Sequence, residues 1–578
     1  MIEKEMFEMS MDRNQGKDMY ISRRKLLASV GMAGVFAASG GLIGAAQAGG
    51  TVNESVYGNG LTAKDTEQML QNWVDGKVVR IITIAELRAM SAAPQGHSVY
   101  YVKDKGQEGI FLYDGTDTAT ADNTGTVLVS AAGARFKRVY DDAVSIKWFG
   151  AKGDGVTDDT RASQQCFDAA KSATVYIPEG TYNITSTIVV PELTSIRGSG
   201  YASQLHGYSC DCLTFDLSNG LSPVVAEKFA IFGHDASGFT AIRVPGAPTT
   251  LRRTTGITFS NLYIAFYGTG MSLRGLWHSR IYGCYMNDVW VGIQIIGQSV
   301  KNVIDSCQII RGNGYTKGSG DSMAIYVDSA FDYEPGNAER RPEDVQITKT
   351  LTFGFDIGVR WYRCLYGAIK ECDFDYCRKY GIYYHQTEGG LTISNNWIAL
   401  TEDQAIAGIR AGNLGVPGTS ASCLIQHNTI GHYVGTNRQG TGISIGWNQN
   451  NTVIDGNHIS GMATEDIVVD YCQNIHISKN TLTSPITNSV RIVSRQNPIF
   501  INENKANGGT LYDPGIEQIM INNRFVKNSV PTGGQWTKGD IVYNTNPLPA
   551  DGRFVMGWYR VTDGTGHVLG TDWLEIGN

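Results

Sequence analysis

From residue 280 onward one short phrase of apolar and polar positions recurs along the chain. It is an isoleucine, two residues, then Asn, Cys or Thr, one residue, then an apolar side chain. The isoleucines are Ile281, Ile304, Ile369, Ile393, Ile425, Ile454, Ile477 and Ile501. Three residues after them stand Cys284, Cys307, Cys372, Asn396, Asn428, Asn457, Asn480 and Asn504. Weaker copies begin at Ile347, with Thr350, and at Met520, with Asn523 and Phe525. Most steps are 22–24 residues long. The steps of 43, 32, 29 and 19 residues read as inserted or shortened turns, with one further coil masked in the longest.

A period of this length fits one rung of three short strands and three turns, which can bury its inner side chains only against the rungs above and below. A sandwich of evenly spaced strands would alternate, but has no reason to repeat the phrase. The Asn or Cys at each copy is expected to point inward at a sharp bend. Stacked amides there can satisfy one another, since each carries two donors and an acceptor. A second strand falls about 12–13 residues before most copies. Alternation with period two sends its Ile and Val inward. The outward residues then form two columns. One holds Gln294, Tyr326, Arg360, Tyr383, Arg410, Ser444, Val468 and Arg491, the other Ile296, Asp328, Tyr362, His385, Gly412, Gly446, Asp470 and Val493. A slip of one residue would exchange the faces. The fold class is therefore all-β, a single-stranded parallel β-helix.

Length and composition narrow the function. The chain has 578 residues, 42% hydrophobic and 18% charged, which excludes a wholly disordered chain. A formal charge of −7 argues against a general nucleic-acid binder. The ten cysteines follow neither a disulfide framework nor a paired zinc spacing, so buried free thiols are expected, with no metal and no cofactor.

The only long apolar stretch is N-terminal. Ser22-Arg23-Arg24-Lys25-Leu26-Leu27 leads into an Ala- and Gly-rich run ending at Ala46-Gln47-Ala48. A basic pair, an apolar stretch and an A-x-A end form a secretory signal, expected to be cut after Ala48. The pair after Ser resembles a bacterial twin-arginine signal, although Leu26 stands where Phe is usual and Ala28 where Lys is usual. Residues 1–48 are thus read as an address for the twin-arginine export machinery, and the protein as secreted. Residues 51–142 read as a small β-rich module, 143–526 as the β-helix and 527–578 as a small C-terminal β module.

Residues 143–200 give a strand, the turn Gly153-Asp154-Gly155, a helix after Asp158-Asp159 and a strand through Val175-Tyr176-Ile177-Pro178-Glu179-Gly180. Either aspartate can cap that helix, which would plug the open end of a β-helix. The phrase resembles the pectate-lyase-like, rhamnogalacturonase-type superfamily of right-handed parallel β-helices, shared by phage tailspike depolymerases. The resemblance implies cleavage of a polysaccharide, by hydrolysis or by elimination, and allows a homotrimer. The flanking modules resemble those of the same proteins. Trp536, Trp558 and Trp573 in the last one suit either a small core or sugar stacking.

The resemblance supplies no catalytic residues. The Gly-His-Gly and Arg-x-Lys of polygalacturonases are absent, and Asp158-Asp159 belongs to the cap. Candidates therefore come from the outward face. Tyr326, Tyr362 and Tyr383 can stack on sugars, and Arg360 and Arg410 can fork onto carboxylates or hydroxyls. Hydrolysis needs two carboxyl groups. Asp328, Glu388, Glu402 and Asp403 stand near this face, with Glu371, Asp373 and Asp375 as a second set. Elimination needs a base beside a uronate carboxylate, for which Arg360, Tyr383, His385 or Arg410 would serve. Hydrolysis is slightly favoured by the number of carboxylates. The alternative is a non-catalytic carbohydrate-binding or adhesion protein.

Overall fold

The structure is a computed structural model. It describes residues 79–94, 99–216, 224–245, 254–312, 318–329, 341–385, 387, 389–401, 404–412, 422–432, 439–446, 449–493, 498–512, 516, 518–547 and 553–577. The signal at 1–48 and the candidates Glu388, Glu402 and Asp403 lie outside the described residues. The chain divides into two compact units. One holds the described residues up to Ala151 with Ala173–Val175, the other Lys152–Ser172 and the rest.

The first unit carries a five-stranded sheet of β1 (Arg80–Ile82), β2 (Val99–Val102), β3 (Gly109–Asp114), β4 (Val127–Val129) and β5 (Arg135–Arg138), in the order β1-β2-β3-β5-β4. Leu87, Tyr100, Val102, Phe111, Leu128 and Phe136 form its core.

The second unit is the parallel β-helix. Three series of strands climb it, each strand paired in parallel with its counterpart one rung on. The first series runs from Ser195–Gly198 to Ile519–Ile521 and contains the repeated isoleucines, all buried. A bend follows each of these strands. Its tightest residue is left-handed, as at Ser306, Lys349, Glu371, Asn395, His427, Lys479 and Glu503, with φ between 48 and 57°. That conformation is unfavourable for side-chain-bearing residues and persists only where surroundings fix it.

Here the next residue fixes it. Asn396, Asn428, Asn457 and Asn480 are buried one above another. Each Nδ2 donates to the Oδ1 of the next rung's Asn at 2.9 Å, the last to Asn504. Each Nδ2 also donates to an isoleucine carbonyl of the preceding rung, and each Oδ1 accepts a backbone N–H as well. Cys284, Cys307 and Cys372 occupy the same slot, their thiols aimed at the equivalent carbonyls at 3.6–3.7 Å. All ten cysteines are free and buried.

Two expectations are corrected. No coil is hidden in the 43-residue step, because Val303–Asp305 pairs directly with Val345–Thr348. The surplus lies in the connections between strands. Nor is the copy at Met520 a rung bend. Ile519–Ile521 turns back into an antiparallel hairpin with Arg524–Lys527, through Asn522 and Asn523 at φ 51 and 62°. Two consecutive left-handed residues make the tight turn that suits the twist of paired strands. The chain leaves the helix there. Trp536, Trp558 and Trp573 are buried with Val542, so they form a small core rather than a sugar platform.

The helix Thr160–Ala169 buries Ser163, Cys166 and Phe167. Asp158 accepts from the Thr160 backbone and hydroxyl, whereas Asp159 turns back to accept from the N–H groups of Lys152 and Gly153. Among the described residues no helix is long and apolar enough to cross a membrane.

Candidate functional site

The third series carries the face of interest. Its strands are β6 (Val291–Ile296), β7 (Met323–Asp328), β8 (Ile357–Tyr362), β9 (Tyr380–His385), β10 (Ala407–Ala411), β11 (Thr441–Gly446), β12 (Ile467–Asp470) and β13 (Asn488–Ile492). Buried Ile293, Ile325, Val359, Ile382, Ile409 and Ile443 stack inside and pin the register. Trp361 and Tyr384 also point inward and are fully buried. The outward residues fall into line as the alternation requires. Gln294, Tyr326, Arg360, Tyr383, Arg410, Ser444, Val468 and Arg491 are in register from rung to rung. So are Ile296, Asp328, Tyr362 and His385, and, further along, Gly446 and Asp470.

Arg360 stands at the centre. Its guanidinium carbon lies 5.7 Å from the Tyr326 ring, 5.7 Å from Tyr362 and 6.0 Å from Tyr383. Those separations are at the outer limit for attraction between a cation and an aromatic face. No acidic side chain among the described residues forms an ion pair with it. Arg360, Trp361, Tyr362, Tyr383 and His385 line a small cleft.

His385 is 2% exposed, and its ring stacks on Tyr362 with centroids 5.3 Å apart. Neither ring nitrogen has a hydrogen-bond partner. Burial, helped by the charge of Arg360, lowers its pKa to about 4. The imidazole is therefore neutral at neutral pH.

Asp328 is also buried, but it is fully engaged. Arg363 Nε and Nη2 donate to its two oxygens at 3.0 and 3.2 Å, and the Tyr326 hydroxyl donates to it as well. Burial pushes its carboxyl up, against these donors, which hold it down. Arg410 donates to the Ser444 hydroxyl, and Arg491 pairs with Glu465 at 2.7 Å.

Asp373 is not brought to this face. It belongs to the neighbouring strand series, in register with Leu351 and Trp397, where burial and Asp375 push its carboxyl up. Asp470 shares the face but was not chosen from sequence. It is half-buried, its Oδ1 has no partner, and burial pushes it up against the pull of Arg410 and Arg491. Its place in the outward column was the available signal. Arg363 left none, because it reaches Asp328 only through a left-handed backbone at φ 52°.

A larger hollow of about 410 Å³ lies beside the helix Thr160–Ala169. Four of its polar side chains are engaged: Asp158 with Thr160 and Thr185, and Gln164 with the backbone of Val189. In the Arg360 cleft, by contrast, both nitrogens of the buried His385 are left open.

Comparisons with known proteins place these features. Residues 80–141 match a model described as the small four-stranded beta-sheet domain of phage tail protein. Residues 143–209 match rhamnogalacturonase A/epimerase, pectate lyase-like, and 249–413 match the right handed beta helix region. The tail spike protein of Shigella phage Sf6 is 28% identical over 273 residues, covering 45% of this chain and 43% of that protein. Depolymerase 1 of Klebsiella phage K5-2, capsule K30/K69-specific, is 44% identical over 52 residues, 9% of this chain and 7% of that one. The chain thus spans less than half the length of these relatives. The enzymatically active domain of tailspike protein 4 from bacteriophage CBA120 is 12% identical, with a TM-score of 0.47, over 89% of this chain and 70% of that one.

Proposed function

We propose that this chain grips an extracellular polysaccharide along the outward face of β6–β13 and cleaves its glycosidic bonds. The observation that carries the reading is the aligned column in which Arg360 stands among three tyrosines beside a neutral, unpartnered His385. Such a row suits a polymer, because successive rungs set aromatic and polar groups at a regular spacing across the strands, along the axis of the β-helix. Likeness to a tail spike protein and to a capsule depolymerase supports the same reading.

Hydrolysis is the preferred chemistry. It needs one carboxyl group as acid and another as base or nucleophile. Glu388 and Glu402, which follow β9 and precede β10 in sequence, are the first two candidates. Asp328 is the third candidate, and its capture by Arg363 suits a positioning role. Elimination would instead use His385 as base with Arg360 or Arg410 stabilising charge. The sequence at Ser22-Arg23-Arg24 and Ala46-Gln47-Ala48 supports export by the twin-arginine route.

A second reading is a non-catalytic binding protein of tailspike type, favoured by the phage-tail match over 80–141. A digest of acidic and neutral polysaccharides separates the two. New reducing ends without absorbance from unsaturated ends indicate hydrolysis, and rising absorbance indicates elimination. Binding with no shortening of the polymer indicates the second reading.

A further inference from the structure

The other arginines of the face are each engaged by a polar side chain. Arg363 holds Asp328, Arg491 holds Glu465, and Arg410 donates to Ser444. Arg360 lies against three tyrosine rings and within electrostatic reach of Asp328, which Arg363 holds, but makes no hydrogen bond or ion pair among the described residues. It is a guanidinium with an unused fork of donors in a hollow walled by aromatic side chains.

The imidazole in the same cleft is unused as well. Both ring nitrogens of His385 are buried without a partner. A buried polar atom left unpaired costs about 1–3 kcal/mol, so native structures hold few of them. An unsatisfied imidazole lining the same cleft as an arginine without a hydrogen bond or ion pair describes a place shaped for a bound group.

We propose that the cleft lined by Arg360, Tyr362, Tyr383 and His385 is a subsite for a carboxylated sugar residue, with the Arg360 fork on the carboxylate and His385 on a ring hydroxyl. The inference rests on the saccharide reading of the face and adds the substrate class to it. A neutral sugar would leave the arginine without its counter-charge. A planar carboxylate matches two parallel N–H donors of one guanidinium. A sulfate or phosphate would call for further cationic donors, and Arg363, which lies against the Tyr362 ring, is committed to Asp328.

The test uses the full chain on an array of uronate-containing, sulfated and neutral oligosaccharides, with each uronate also present in carboxyl-reduced form. Retention on one or more uronates is expected, and loss on carboxyl reduction. Arg360→Gln should weaken that retention by about tenfold or more. Arg360→Lys should fall between, because it keeps the charge and loses the fork. An unchanged melting temperature for either variant shows that the fold is intact. Equal retention of a uronate and its reduced form, retention of sulfated glycans alone, or an unaffected Arg360→Gln overturns the subsite and leaves the saccharide reading standing. Retention of no saccharide at all removes both.

Discussion

Arg363 grips Asp328 through two N–H···O bonds of 3.0 and 3.2 Å, reaching back one rung from a left-handed backbone. The carboxylate is 1% exposed, so removing its charge strands a guanidinium rather than merely deleting a contact. Breaking one side of a buried pair costs about 3–5 kcal/mol, whereas replacing both sides costs far less. Asp328→Asn should therefore destabilise the second unit by about that amount in urea unfolding. The double variant Asp328→Asn with Arg363→Met should recover much of the loss. A single variant as stable as wild type would show that the pair carries no weight.

The asparagine ladder yields a graded prediction. Asn428 and Asn457 each donate to one neighbour's Oδ1 and accept from another while fully buried, and Asn504 ends the ladder half-exposed. Asn428→Ala or Asn457→Ala leaves buried donors and acceptors open on both sides, for a cost of about 2–4 kcal/mol. Asn504→Ala should cost about 1 kcal/mol or less. Asn457→Cys should be milder than Asn457→Ala, because a thiol fills this slot at Cys372 and points at the matching carbonyl. Equal costs along the ladder, measured by denaturant unfolding, would argue against cooperative stacking.

His385 sets a pH dependence of stability. Its folded pKa of about 4 lies below the ordinary 6.5, so the unfolded chain binds the proton first. Stability from this group is complete above pH 6.5 and declines as pH falls towards 4, by up to about 1.4 kcal/mol per pH unit. The carboxyls of buried Asp466 and half-buried Asp470 are pushed up and act in the opposite direction. The clean measurement is the difference between wild type and His385→Gln from pH 6.5 to 4. The variant should lose less, and parallel curves would contradict the buried neutral imidazole.

Much of this molecule was legible in the sequence because its physics repeats. A buried amide needs the same partners at every rung, so Ile-x-x-Asn recurs, and the strand before it must alternate, so the column from Gln294 to Arg491 could be aligned from sequence. Features that occur once left no such trace. Nothing in the spacing shows that Arg363 bends back onto Asp328, that Asp373 faces a different side, or that Asn522-Asn523 closes a hairpin where a further rung was expected. The 43-residue step misled for a related reason. Length alone does not separate an added coil from longer connections, and only the direct pairing of Val303–Asp305 with Val345–Thr348 does.

Catalysis can be separated from binding by two sets of variants. Glu388→Gln and Glu402→Gln should each lower kcat by about 100-fold or more if these residues form the hydrolytic pair, with polymer binding retained. Tyr383→Ala should instead raise KM, with kcat less affected, because it removes a stacking surface rather than a reacting group. Full activity in both glutamine variants would sink the hydrolytic assignment.

The most direct measurement follows the length of a polymer. The purified chain is incubated with a panel of acidic and neutral polysaccharides, and their size is followed by gel filtration alongside the Arg360→Gln and Tyr383→Ala variants. Shortening of at least one polymer, markedly slower with both variants, is the predicted result. A panel left at full length and unbound, or shortened equally well by both variants, would contradict the claim that the β6–β13 face is where this protein works.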